Sequence, residues 1–214
     1  MSISSRTKIK ICGLMSEQDA EYVSEACADF AGVILAPDRK RTVSAETVKR
    51  IRRALNPDIP LTGVFVNAQI AEICAFAEKG LIQLVQLHGQ EDAAYLMKLR
   101  KRCSLPVIQA FRIESERDLR QAEHSEADLV LLDHGIGGTG EGFDLSLLEK
   151  GFSRPFLLAG GLHPGNVAAA VSGYRPCGVD VSSGVETDGR KDSEKMKAFV
   201  TEVRHADKEQ EVLL

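Results

Sequence analysis

The feature that most constrains this chain is a strict alternation of short apolar runs with amphipathic runs, kept up from one end to the other. "KIKIC" reads as a strand by its period of two, and "SEQDAEYVSEACA" follows as a helix with Ser16 as its N-cap and Ala20, Val23 and Cys27 at helical spacing. The same couple recurs. "AGVIL" precedes "SAETVKRIRRAL", capped by Ser44; "LTGVFV" precedes "AQIAEICAFAEK", capped by Asn67; "IQLVQL" precedes "EDAAYLMKLRKR". "PVIQAF" and "SERDLRQAEH" come next, then "ADLVLL", a glycine-rich loop and the short helix "DLSLLEK". "PFLLA" leads into "HPGNVAAAVS", with Pro164 in the first turn, and "CGVDVS" into "DSEKMKAFVTEVRH". About eight strands and eight helices in alternation imply parallel strands joined by crossover helices.

An open doubly wound sheet competes with a closed barrel. Short loops and this many units favour closure into an α/β single-domain (β/α)8 barrel. The glycine-rich loops also fall after the sixth, seventh and eighth strands, whereas a doubly wound sheet carries its fingerprint after the first. No linker or composition shift divides the 214 residues, so one domain is expected, with its core at about 7–204 and a frayed tail at 206–214.

Composition excludes some function classes. A net charge of −4 argues against general nucleic-acid binding. No apolar run approaches the length of a membrane span, and "MSISSRTKIK" lacks the apolar stretch of a signal peptide, so the expected place is the cytoplasm, with no membrane partner. The five cysteines, Cys12, Cys27, Cys74, Cys103 and Cys177, are odd in number and show no CxxC spacing, which argues against a disulfide framework or a structural zinc site. Four of them suit packing positions. Cys12 stands apart, at the lip of a strand before Gly13.

In a (β/α)8 barrel the chemistry sits at the C-terminal strand ends. Those positions hold Cys12, Arg41, Asn67, His88, Arg112 and Asp133, followed by Gly160 and Gly161 after the seventh strand and Ser182, Ser183 and Gly184 after the eighth. Backbone amides of the last two loops suit a phosphate. Asp133 ends an apolar strand and is followed by "HGIGGTGEGF", a loop of the kind that covers a site.

The motifs "KICG", "GVFVN", "VQLHG", "GGTGEGFD", "LAGGLHPGNV" and "VDVSSGVE" together resemble the phosphoribosylanthranilate isomerase family of tryptophan biosynthesis, over about residues 8–203. The resemblance implies a (β/α)8 barrel and an Amadori rearrangement of a small phosphorylated substrate that also bears an aromatic carboxylate. It implies Cys12 as general base, Asp133 as general acid and Arg41 as the partner of that carboxylate. His88 belongs to a family motif, and either a catalytic or a structural role fits it. The chemistry is two proton transfers, for which no metal or organic cofactor is needed. Departures are the aromatic-poor "GVILAPDRKR", a sixth loop that is short, and "DLSLL" without the tryptophan common there. Oligomeric state, monomer or homodimer, is not legible in these residues.

Strand parity adds one expectation. Lys8, Lys10 and Cys12 share a side, opposite Ile9 and Ile11, which should meet the helices. Lys10 then points into the barrel, where a buried cation needs a partner. Asp180, in the last strand, is the expected one; the alternative is that Lys10 snorkels out through the barrel floor.

Overall fold

A computed structural model describes residues 6–133 and 152–212. The expected glycine-rich loop at 134–143 and the short helix at 144–150 lie outside the described residues. Strands β1 (Lys8–Cys12), β2 (Phe30–Ile34), β3 (Leu61–Phe65), β4 (Leu84–Leu87), β5 (Val107–Arg112), β6 (Leu129–Asp133), β7 (Phe156–Ala159) and β8 (Gly178–Val181) close into a barrel in sequence order. All eight pairings are parallel, and β1 meets β8 with Lys10 opposite Asp180. This is the (β/α)8 barrel that the alternation predicts.

Parity divides each strand between two environments. Ile9, Ile11, Leu61, Val85, Val107, Val130 and Val179 are fully buried among helix residues such as Val23, Ile51 and Phe199, in the shell between barrel and helices. Burying side chains of this size contributes about 1.5–3 kcal/mol each, which makes a one-residue strand slip costly. The barrel interior is itself split. Ile108, Ala110, Leu131, Leu157 and Ala159 form an apolar cluster on β5–β7. Lys10, Thr62, Gln86 and Asp180, all buried, make the other half polar.

Ser16 caps helix Glu17–Glu25 in a reciprocal box with Asp19, and Ser44 accepts from the Thr47 amide at the head of helix Ala45–Ala54. Other helix boundaries differ from the sequence reading. Asn67 does not cap helix Ile70–Glu78, whose first turn starts after Gln69. Asn67 adopts a left-handed φ of 51°, and its side-chain oxygen accepts instead from the Gln90 amide, fastening the loop after β3 to the loop after β4. Helix Val167–Tyr174 begins later than expected. Pro164 lies in the turn before it, which is closed by the Asn166 side chain accepting from the His163 amide. Cys27, expected in a core, is exposed with a φ of 56° just past its helix.

The expected frayed tail at 206–214 is corrected over its described part: helix Ser193–Val212 continues through 206–212 without a break, and 213–214 lie outside the described residues. Ala206 is buried, Asp207 accepts from the Thr7 amide, and Gln210 donates to the Val171 carbonyl. The tail's polar side chains satisfy backbone groups at the foot of β1 and on the neighbouring helix, and this docking holds the last turns. Among the described residues, no helix is long and apolar enough to cross a membrane.

Candidate active site

At the C-terminal end of the barrel a cavity of about 310 Å³ is lined by Cys12, Gln86, His88, Asp133, Asp180 and the loops after β7 and β8. Two larger clefts, of about 560 and 630 Å³, lie elsewhere, one around Lys8, Phe30 and Phe156 and one around Glu91, Gln109 and His124. Size alone does not mark the site; the convergence of ionisable groups from β1, β4, β6 and β8 does.

Cys12 ends β1, and Gly13 leaves it with a φ of 80° that favours glycine. A Cβ there would come within 2.8 Å of Arg41 Cδ and 2.9 Å of Ser182 Oγ, so the missing side chain is also what lets Arg41 cross beside Cys12. Gly32 on β2 plays the matching part from the other side. A Cβ on it would stand 2.8 Å from Cys12 Sγ and 3.1 Å from Lys10 Nζ. Cys12 Sγ and Lys10 Nζ therefore share the space above one glycine.

Lys10 is fully buried and its Nζ lies 2.9 Å from Asp180 Oδ1, the cross-strand pairing expected from parity. Burial works against its charge, but Asp180 and then Cys12 more than offset this, and the ammonium is held above its ordinary range. For Cys12 the balance has the opposite sense. Burial pushes the thiol up, Lys10 pulls it down, and burial prevails.

Across the cavity His88 Nε2 lies 3.3 Å from Asp133 Oδ2. Its Nδ1 is 3.0 Å from the Gln86 amide nitrogen, a donor, so the ring as placed accepts at Nδ1 and turns an Nε2 proton toward Asp133. His88 is thus fastened to β4 through Gln86, and it also lines the cavity. Gly160 and Gly161 have φ of 94° and 63° after β7. Gly184 approaches the Leu162 carbonyl so closely that a Cβ would overlap it, which packs the loops after β7 and β8 into one wall together with Ser183.

Two strand-end positions stay out of this group: Asn67 serves loop structure, and Arg112 pairs with Glu114 on the surface. Arg41 sits beside the group. The loop after β2 doubles back through an Ile34–Thr42 bridge, and Arg41 then meets Glu186 with Nε–Oε1 and Nη2–Oε2 distances of 2.7 Å. Glu186 and Lys191 were not foreseen. They face each other across a small hairpin, β9 (Glu186–Thr187) and β10 (Arg190–Lys191), turned by Asp188 and Gly189, both left-handed. The signal was present as "TDGR", since Asp-Gly between two short runs marks a two-residue hairpin turn.

The family model described as N-(5'phosphoribosyl)anthranilate (PRA) isomerase matches residues 9–202. An N-(5'-phosphoribosyl)anthranilate isomerase of Endomicrobium trichonymphae is 44% identical, over 88% of this chain and 94% of its own. Among solved structures, phosphoribosyl anthranilate isomerase from Thermotoga maritima superposes with a TM-score of 0.84 at 36% identity, covering 93% of this chain and 99% of its own. A second crystal structure, of a phosphoribosyl anthranilate isomerase in complex with reduced 1-(o-carboxyphenylamino)-1-deoxyribulose 5-phosphate, gives 0.82 at 36% identity, with the same coverage of both chains. A barrel whose first strand delivers Cys12 and whose sixth delivers Asp133 to one cavity, matched along nearly its full length, belongs to the N-(5'-phosphoribosyl)anthranilate isomerase family.

Proposed function

We propose that this chain converts N-(5-phosphoribosyl)anthranilate to 1-(2-carboxyphenylamino)-1-deoxyribulose 5-phosphate, a step of L-tryptophan biosynthesis, in the cytoplasm. The observation that carries this reading is that Cys12 and Asp133, from strands β1 and β6, line one cavity in a chain of this family. In the reading, Gly160, Gly161, Ser183 and Gly184 receive the phosphate through backbone amides. Arg41 receives the carboxylate of the aromatic ring, and Asp180 and His88 face the sugar.

The reaction then needs one acid and one base. Asp133, protonated, gives its proton to the ribose ring oxygen. The C1–O bond breaks toward that oxygen, and the anthranilate nitrogen lone pair forms the C1=N bond of an iminium. Cys12, as thiolate, takes the proton from C2. The C2–H electrons form a C1=C2 bond and return the iminium electrons to nitrogen, giving an enolamine. Loss of the C2 hydroxyl proton and protonation at C1 give the ketose. His88 supports the acid by holding the Asp133 carboxyl toward the cavity.

Asp133→Asn separates chemistry from binding. Its expected effect is a loss of kcat by about 10²-fold, the lower range for a positioned acid. Binding of the reduced product 1-(o-carboxyphenylamino)-1-deoxyribulose 5-phosphate, measured by titration calorimetry, should change by less than about threefold, a free-energy change under ~0.7 kcal/mol. A variant with undiminished kcat would remove Asp133 from the role of acid.

A further inference from the structure

The scheme above leaves the charged side chains of Glu186 and Lys191 unused, and both are sealed beside the site. The Glu186 side chain is 5% exposed and that of Lys191 is fully buried. Glu186 accepts two 2.7 Å hydrogen bonds from Arg41, from Nε and from Nη2. Its Oε1 also accepts from Lys191 Nζ at 2.9 Å, and Lys191 donates a second bond to the Ser182 carbonyl at 2.8 Å. Arg41 and Lys191 are two cations on one carboxylate, so the cluster keeps one positive charge. That charge is distributed where Arg41 leans across Gly13 beside Cys12.

The geometry of the guanidinium gives this arrangement a consequence. Arginine presents five N–H donors in a planar fork. Bonding through Nε and one Nη2 hydrogen occupies one edge, while the Nη1–Nη2 edge is still able to take a second carboxylate in the same plane. Glu186 in turn cannot follow Arg41 toward a ligand. Lys191 pins its Oε1, and the Asp188–Gly189 turn fixes the register that sets Glu186 opposite Lys191.

Resting on the function proposed above, we infer that Glu186 is a positioning residue. It clamps Arg41 by one edge so that the other edge is already oriented for the carboxylate of the substrate's aromatic ring, and Lys191 is the anchor of the clamp. Arg41 comes from a loop and has a long side chain, whose ordering would otherwise weaken binding by roughly tenfold. With the clamp, that ordering is completed on folding. Specificity for an acid-bearing aromatic amine over a neutral one then depends on a residue that touches neither substrate.

The test compares two substrates on one protein. Phosphoribosyl conjugates of anthranilate and of aniline, which lacks the carboxylate, are formed in situ, and kcat and KM are measured for wild type, Glu186→Gln and Lys191→Met. For Glu186→Gln the expected result is a KM for the anthranilate conjugate raised roughly tenfold with kcat within about threefold, and a change under about twofold in kcat/KM for the aniline conjugate. Lys191→Met should move the anthranilate KM the same way by less. The ratio of the two kcat/KM values does not depend on how much of a variant folds, so partial misfolding does not obscure the result. Equal losses on both conjugates, or an unchanged ratio, would overturn the clamp. Wild-type protein inactive on the anthranilate conjugate would instead overturn the functional reading beneath it.

Discussion

Cys12→Ala is expected to lower kcat/KM by about 10³- to 10⁴-fold, the upper range for loss of a positioned base. The barrel should fold as before. The substitution removes only a sulfur atom from a site with room set by Gly32, and it leaves the Lys10–Asp180 pair in place. The pH dependence identifies the group. The base must be a thiolate, and burial raises the Cys12 thiol above its ordinary range despite Lys10. The ultraviolet thiolate absorbance that Cys12 contributes, read as the difference between wild type and Cys12→Ala, should therefore keep rising with pH past about 8.5, where an ordinary thiol is half ionised. A variant that lacks this signal yet retains the rate would transfer the base to another residue.

Lys10→Met is expected to cost the fold about 3–5 kcal/mol, because it leaves Asp180 charged, buried and unpaired. Urea unfolding read by circular dichroism measures this as a lower midpoint at unchanged slope. The sign with pH follows from the raised pKa of Lys10. A cation whose folded value lies above its unfolded one stabilises fully below the unfolded value, about 10.4, and loses this contribution as pH rises through the folded value. The stability gap between wild type and variant should thus be flat across neutral pH and narrow only in strong alkali. The same variant should shift the Cys12 thiolate absorbance to higher pH, since the cation opposing burial at Cys12 is gone. Lys10→Met combined with Asp180→Leu should recover much of the lost stability, because no buried charge is left without a partner. No recovery in the pair would mean that Lys10 stabilises by packing alone.

The parts that were legible in the sequence are those that depend on local periodicity. The parity of "KIKIC" is enough to place Ile9 and Ile11 against the helices and Lys10 inside, and strand order in a closed barrel then brings β8 beside β1. Cys12, His88, Asp133 and the two glycine loops follow from the rule that strand ends form the site. What was not legible depends on contacts between distant loops. Nothing near Arg41 in the chain announces Glu186, which lies 145 residues away. Asn67 has a good capping residue's chemistry, yet its side-chain oxygen found the Gln90 amide across the rim instead. The tail at 206–212 reads as weakly apolar, and its partners are backbone groups of Thr7 and Val171. In each case a side chain was satisfied by tertiary placement rather than by its neighbours in sequence.

The most direct measurement of the central claim is turnover. N-(5-phosphoribosyl)anthranilate, made in situ, is fluorescent, and its signal decays slowly by hydrolysis alone. Addition of the wild-type chain should accelerate the decay in proportion to enzyme concentration, with the ketose phosphate as product. A decay no faster than the enzyme-free control, with folded protein present, would contradict the account.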